Sequence, residues 1–381
     1  MLDRLVKIFT SLRLTVLLLG LGLVLVFWGT LAQVNLGLYK AQNEFFRSFF
    51  IFWRPAGSGL KIPIFPGGYL IGGLLLINLL AAHTRYYRPE KRKIGIVMIH
   101  LGVVLLLVGQ LLTDLLSTES SMHIRNGGTK NYSEADRQFE LAVVDTTDAA
   151  SDKVVAIPEH LLLKQGDIHD SELPFTVRVK TFYGNSSLVE KAEPQYQEVK
   201  TTAGFGSGLW WREIPHETAM EKRDMPSGVV ELLGPQGSLG SYLVSAYLNR
   251  PQEFQYQGRT YELSLRAERF YKPFSLHLIE FRHDKYPGTD IPKNFSSRVR
   301  LQRPDTGEDR EVLIYMNNPL RYAGETFYQA SFDPDDKGTV LQVVHNPSWL
   351  TPYFSCVLVA AGLAVQFVTH LISFTKKRRT T

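Results

Sequence analysis

Two histidines sit inside runs of residues that otherwise avoid charge. His100 lies near the start of IGIVMIHLGVVLLLVGQLLTDLL (Ile94–Leu116), and His370 lies near the end of YFSCVLVAAGLAVQFVTHLISF (Tyr353–Phe374). An ionisable ring at membrane depth is costly, so such residues face a protein interior and mark a function. Neutral imidazole is a good axial ligand for haem iron. His100 falls about six residues into its run and His370 about four from the end of its own, roughly 9 Å and 6 Å deep at 1.5 Å per residue. The runs cross in opposite directions, which puts both rings in the same leaflet. Two imidazoles at similar depth on neighbouring helices would hold a haem between them. The plainer reading of each is a hydrogen bond between helices, worth about 0.6 kcal/mol on average.

Helical periodicity sorts the neighbours of these rings. At about 100° per residue, His100, Leu107 and Asp114 share one side of their helix. Gly95, Gly102 and Gly109 recur on nearly the opposite side, a small-residue seam suited to close helix contact. In the last run Cys356, Leu363, Gln366 and His370 fall on one face, a stripe expected to point toward protein. A helix with a polar face and a glycine face wants partners on both sides, and one is expected from another subunit. His83, at the end of a further apolar run, is expected at the membrane interface.

Other chemistry is thin. Cys356 is the one cysteine of the chain. A thiol–disulfide CxxC site and a covalent CxxCH haem site are therefore excluded in this chain. No GxSxG elbow, HExxH pair or Gly-rich phosphate loop occurs. The remaining histidines, His123, His160, His169, His216, His277, His283 and His345, have no metal-ligand spacing. Trp210–Trp211 reads as a loop anchored in an apolar crevice ahead of a contact with membrane or partner.

The elements that must position these residues follow from the apolar runs. In 381 residues, four stretches have the roughly 20-residue length that about 30 Å of hydrocarbon requires. They are Leu12–Gln33, Ile64–His83, Ile94–Leu116 and Tyr353–Phe374, with Asn78 interrupting the second. The first is expected to be a retained anchor, being too long for a signal core and lacking a clean cleavage site. Arg4, Lys7 and Arg13, the loop RPEKRK (Arg88, Lys91, Arg92, Lys93) and the tail TKKRRTT (Lys376, Lys377, Arg378, Arg379) all fall on one side of four crossings. Short-loop Lys/Arg bias makes that side cytoplasmic, both termini included. The net charge of +5 is then mostly a topology signal, with little left for nucleic acid to explain.

Between the third and fourth runs the pattern changes to apolar–polar alternation with turn residues: FTVRVKTFY, YELSLRAERF, FSLHLIEF, SSRVRLQ, EVLIYMNN and TVLQVVHN. Such alternation predicts strands with one face buried. The expected fold is therefore membrane α plus β, four transmembrane helices with a large extracytoplasmic β-rich domain, sandwich or barrel-like, between helices 3 and 4. Three parts result: a three-helix membrane part at 1–116, the β-rich domain at 117–350, and the last helix with its basic tail at 351–381. Glu190–Pro235, rich in Gly, Pro and charge, is expected as long loops or an insert.

Several stretches, in this order, resemble one family. They are SLRLTVLLLGLGLVLVFWGTLAQ, PGGYLIGGLLLINLLAAH, GIVMIHLGVVLLLVGQLL, KPFSLHLIEFRHDKYPGTDIPKNFSSRVRL, NNPLRYAGETFYQASF and VVHNPSWLTPYFSCVLVAAGLAVQF. Together they are similar to the ResB/CcsB family of cytochrome c biogenesis proteins, of the pathway called System II. Only Glu190–Pro235 lies outside the resemblance. It implies a multi-pass protein of a bacterial inner membrane, working with a CcsA/ResC-type membrane partner. The pair would export haem and attach it to CxxCH motifs of apocytochrome c. This chain would be an accessory subunit of a haem lyase complex ahead of an enzyme alone. The partner carries a tryptophan-rich WWD-type segment, which is missing here; Trp210–Trp211 is followed by Arg212. A family transmembrane histidine implicated in binding haem b in transit matches the His of MIHLG, His100. His370 matches no family motif. Two alternatives stand beside this: a non-catalytic membrane scaffold with a binding β-domain, and a b-type electron carrier using His100 and His370.

Overall fold

The computed structural model describes residues 2–55, 60–86, 93–149, 151–219, 222–289 and 292–379. Arg88, Lys91 and Arg92 of the basic loop lie outside the described residues. The chain divides into two units. One is Met1–Thr118, Asn346–Thr381 and the short piece Thr218–Met220, and the other is Glu119–Glu217 with Glu221–His345.

The first unit is helical. Helices α1 (Leu2–Phe9) and α2 (Leu12–Leu36) meet at Ser11, whose Oγ accepts from the Arg13 N–H at 3.2 Å as an N-cap. A short α3 (Leu38–Ala41) and a π-turn (Gln42–Phe46) lead into a hairpin of Phe50–Trp53 against Ile62–Pro66. Then come α4 (Gly68–Tyr86) and α5 (Ile94–Leu116). A four-residue α6 (Glu159–Leu162) belongs to the second unit, and α7 (Thr351–Arg379) closes the helical one.

Among the described residues, three helices are long and apolar enough to cross a membrane: α2, α5 and the Thr351–Lys376 part of α7. The chain is a membrane protein on that ground. The expected second span starts too early. Ile64 is in a strand, because Pro63 and Pro66 forbid a helix interior there, and α4 begins only at Gly68. α4 also carries Asn78, His83 and Arg85, and it falls outside the set of three. At the other end α7 runs on through Lys376, Lys377, Arg378 and Arg379. Lys and Arg are good helix formers, and cations suit a helix C-terminus.

The second unit is antiparallel β. A ten-stranded sheet runs in the order Glu308–Tyr315, Pro292–Arg303, Arg259–Lys285, Thr129–Asp145, Thr118–Arg125, Gly338–His345, Glu325–Phe332 and Leu320–Tyr322, with two further strands paired at its side. Its outermost strands meet: Tyr322 Oη donates to Glu308 Oε2 at 2.5 Å. This end therefore curls like a barrel around a core of Met122, Phe274, Leu276, Leu301, Phe327 and Val343. At the other end a four-stranded sheet (Gly237–Ser245, Ser227–Gly234, Thr176–Tyr183, Gly166–Ile168) faces the long strands as a sandwich. Their shared core holds Phe139, Leu141, Leu263, Val177, Val230 and Leu232.

YELSLRAERF and FSLHLIEF, read above as separate strands, are halves of one 27-residue strand, Arg259–Lys285. Its pairing with Thr129–Asp145 slips between Tyr271 and Leu276. Pro273 sits in that gap, and a proline has no N–H to give the ladder. The strand passes from one core to the other there. The expected loop region Glu190–Pro235 also needs correcting, since Ser227–Gly234 is an interior strand of the four-stranded sheet.

Candidate functional site

Two polar contacts fix α4 along the polar side of α5. At one end Tyr69 of α4 donates its hydroxyl to Asp114 of α5, and Arg47 Nε lies 2.7 Å from the same carboxylate. The Asp114 side chain is only 9% exposed. A carboxylate so shielded persists because a cation and a hydroxyl satisfy it. At the other end the rings of His83 and His100 meet edge to face, with centroids 4.8 Å apart and planes at 88°. Both rings are half-buried. His100 Nδ1 is shielded from solvent and has no hydrogen-bond partner among the described residues.

The opposite side of α5 is taken by α7. A Cβ on Gly95 would lie 2.7 Å from both Gln366 N and Gly362 O. One on Gly102 would meet Val359 Cγ2 at 2.5 Å, and one on Gly109 would meet Thr351 Cγ2 at 2.6 Å. The glycine seam thus finds its partner within this chain, where another subunit was expected. The face of α7 that packs is Thr351, Ser355, Val359, Gly362 and Gln366. Of the stripe Cys356, Leu363, Gln366 and His370, Gln366 packs against Gly95 of α5, while Cys356, Leu363 and His370 are exposed on this chain. The physical reason is distance. Backbones this close admit only small residues, so the serine–glycine face outcompetes the bulkier one.

His100 and His370 are therefore not brought together. On α5 His100 stands 140–200° around the helix from the three glycines, at about 100° per residue, so it faces away from α7. Its neighbour is His83, which was expected at the interface. A pointer to His83 did exist. Two helices joined by a short connection run antiparallel, and both histidines lie within two turns of the segment between Tyr86 and Lys93.

The site can be tested against a flat macrocycle. Two imidazoles on opposite faces of one iron would be separated by two metal–nitrogen bonds of about 2 Å each and by their own ring widths. Rings in edge contact at 4.8 Å leave no such gap. The two rings therefore could not hold one iron between them; were a haem held here, His100, whose Nδ1 has no partner among the described residues, would be the residue to hold it.

Elsewhere the histidines brace turns. His123 Nε2 lies 2.8 Å from Asp333, His283 Nδ1 3.0 Å from Asp336, and His216 Nδ1 2.6 Å from Asp224. Among the described residues no three His, Cys, Asp or Glu side chains gather to hold a metal ion. Trp211 is 5% exposed in a small core with Val199, Val229 and Leu243. Trp210–Trp211 belongs to a strand, Trp210–Glu213, paired with Ser186–Val189.

Residues 252–340 match the model of the ResB-like family. They begin at the short strand before Arg259–Lys285 and take in most of the barrel-like end of the sheet. The chain is also similar to the protein NrfI of Wolinella succinogenes, at 26% identity over 294 residues. That match covers 76% of this chain and 29% of NrfI, so the chain spans under a third of its relative's length.

Proposed function

On the premise that this chain is a ResB-family protein, we propose that it is a membrane subunit of a System II cytochrome c synthase. In this reading it works beside a CcsA/ResC-type membrane protein in a bacterial inner membrane. The cargo is haem b, passed outward and joined to the CxxCH cysteines of apocytochrome c. α4 is the remaining crossing, and both termini are cytoplasmic. The β-rich unit is outside, where the substrate is held.

The observation that supports this most is the half-buried His83–His100 contact on apolar helices, in a chain whose strands match ResB. His100 supplies one axial nitrogen to the cargo. His83 stands against that ring and limits its rotation. The second ligand belongs to the partner. Bound haem supplies vinyl groups to which reduced thiols add, so both iron and thiols must be kept reduced. The β-rich unit has no cysteine, and it cannot trap substrate thiols in mixed disulfides.

The test is maturation of a c-type reporter in cells that make this chain with its partner. His100→Ala is expected to abolish covalent haem on the reporter, and added imidazole is expected to restore it. Full maturation by His100→Ala would end the proposal.

One observation favours a second reading, the scaffold. A 4.8 Å edge-to-face contact is also how two rings pack when nothing lies between them. In that case reporter maturation survives His100→Ala, and only stability falls.

A further inference from the structure

The hairpin between α2 and α4 is packed around Ile51 and Phe65 and leaves most of its other apolar side chains bare. On the packed side Ile51 is buried and its partner Phe65 is half-buried. Phe65 lies 5.8 Å from the Trp28 ring of α2, and Phe45 of the π-turn lies 5.3 Å from the same ring. Phe50 and Phe52, on the face opposite Ile51, are exposed, as are Ile62 and Ile64 of the second strand. Trp53, paired with Ile62 on Ile51's own side, is 56% exposed. Arg54 and Lys61 lie next to these residues in the chain, also exposed. Bare apolar surface of this kind on a hairpin is an aggregation hazard in water.

Its position in the chain says what covers it. The hairpin follows α2, a helix of membrane-crossing length whose last turns carry exposed Leu31 and Val34. It therefore stands where hydrocarbon gives way to headgroups. Tryptophan and phenylalanine beside Lys and Arg is the composition that settles at that boundary. We infer that the Phe50–Trp53/Ile62–Pro66 hairpin is a membrane-surface anchor. Its exposed apolar side chains lie among headgroups and upper acyl chains, and Arg54 and Lys61 rest on anionic lipid phosphates. This rests on α2 crossing the membrane and is independent of the haem reading.

Trp53 reports on it directly. The full chain and its Trp53→Phe variant would be placed in vesicles of phosphatidylcholine with phosphatidylglycerol, and their difference in emission taken as the Trp53 signal. That signal should be quenched by lipid brominated near the headgroup end of its chains and protected from aqueous iodide. In Arg54→Glu/Lys61→Glu protein the bromolipid quenching should drop, with more loss in anionic than in neutral vesicles. Quenching by iodide and not by bromolipid would overturn the inference, since the surface would then be wet. Protection from both quenchers would overturn it too, because protein would be covering the surface.

Discussion

Asn78 interrupts an otherwise apolar run, and the structure shows what it is for. Its side chain is 3% exposed; Nδ2 donates to Phe9 O at 2.8 Å and Ser11 O at 3.2 Å, while Oδ1 accepts from Thr15 Oγ1 at 2.6 Å. The amide pins α4 to the corner between α1 and α2. Asn78→Ala should cost about 1–3 kcal/mol, the price of leaving buried polar groups unsatisfied, read as a lower midpoint in detergent-induced unfolding. Glu159, in the β-rich unit, gives a pH prediction. Burial holds its carboxyl above the usual carboxylate range, only partly offset by the Phe139 N–H donated to Oε2 at 3.3 Å. With the folded value raised, the unfolded chain loses its proton first as pH rises. Stability should therefore fall as pH climbs from the ordinary glutamate value, about 4.3, through the raised one, and stay level on either side. Glu159→Gln should flatten that slope and leave the unit more stable at pH 7, followed by denaturant unfolding with buried Trp211 as the probe. Single residues were the hardest scale to read from sequence. Asn78 looked like a flaw and His83 like an interfacial ring, because the partners of both are supplied by other helices.

At the scale of elements, periodicity was informative about faces and silent about neighbours. The run Ile94–Leu116 is α5 residue for residue, and its glycine seam was visible in the spacing. That the seam meets α7 was not visible, since helix packing depends on which small-residue face lies opposite. Gly95→Ala should destabilise by about 1–3 kcal/mol, the usual range for overpacking, because the new Cβ meets backbone atoms at 2.7 Å that cannot swing aside. Gly73→Ala in α4 has nothing within 4 Å and should be neutral or stabilising by up to about 1 kcal/mol through helix propensity. Detergent unfolding of the two variants side by side separates packing from propensity. The strands were legible where alternation was clean, as in Thr176–Tyr183 and Gly338–His345. The continuity of Arg259–Lys285 was hidden, because Pro273 reads as a terminator until a register slip is seen to accommodate it.

The whole molecule joins a helical unit suited to a bilayer to a β unit with two cores. The sandwich and barrel alternatives turn out to be two ends of one sheet, a result no local pattern could convey, since it depends on long strands shared by both cores. We propose that the α4–α5 face holds haem in transit, with His100 as ligand and His83 at its side. The decisive measurement is the absorption spectrum of the chain purified with the proposed CcsA/ResC-type partner. The wild-type complex should carry haem with a Soret band. That band should weaken in His100→Ala, return with added imidazole, and shift in His83→Ala. Identical haem content and identical spectra in all three proteins would contradict the claim.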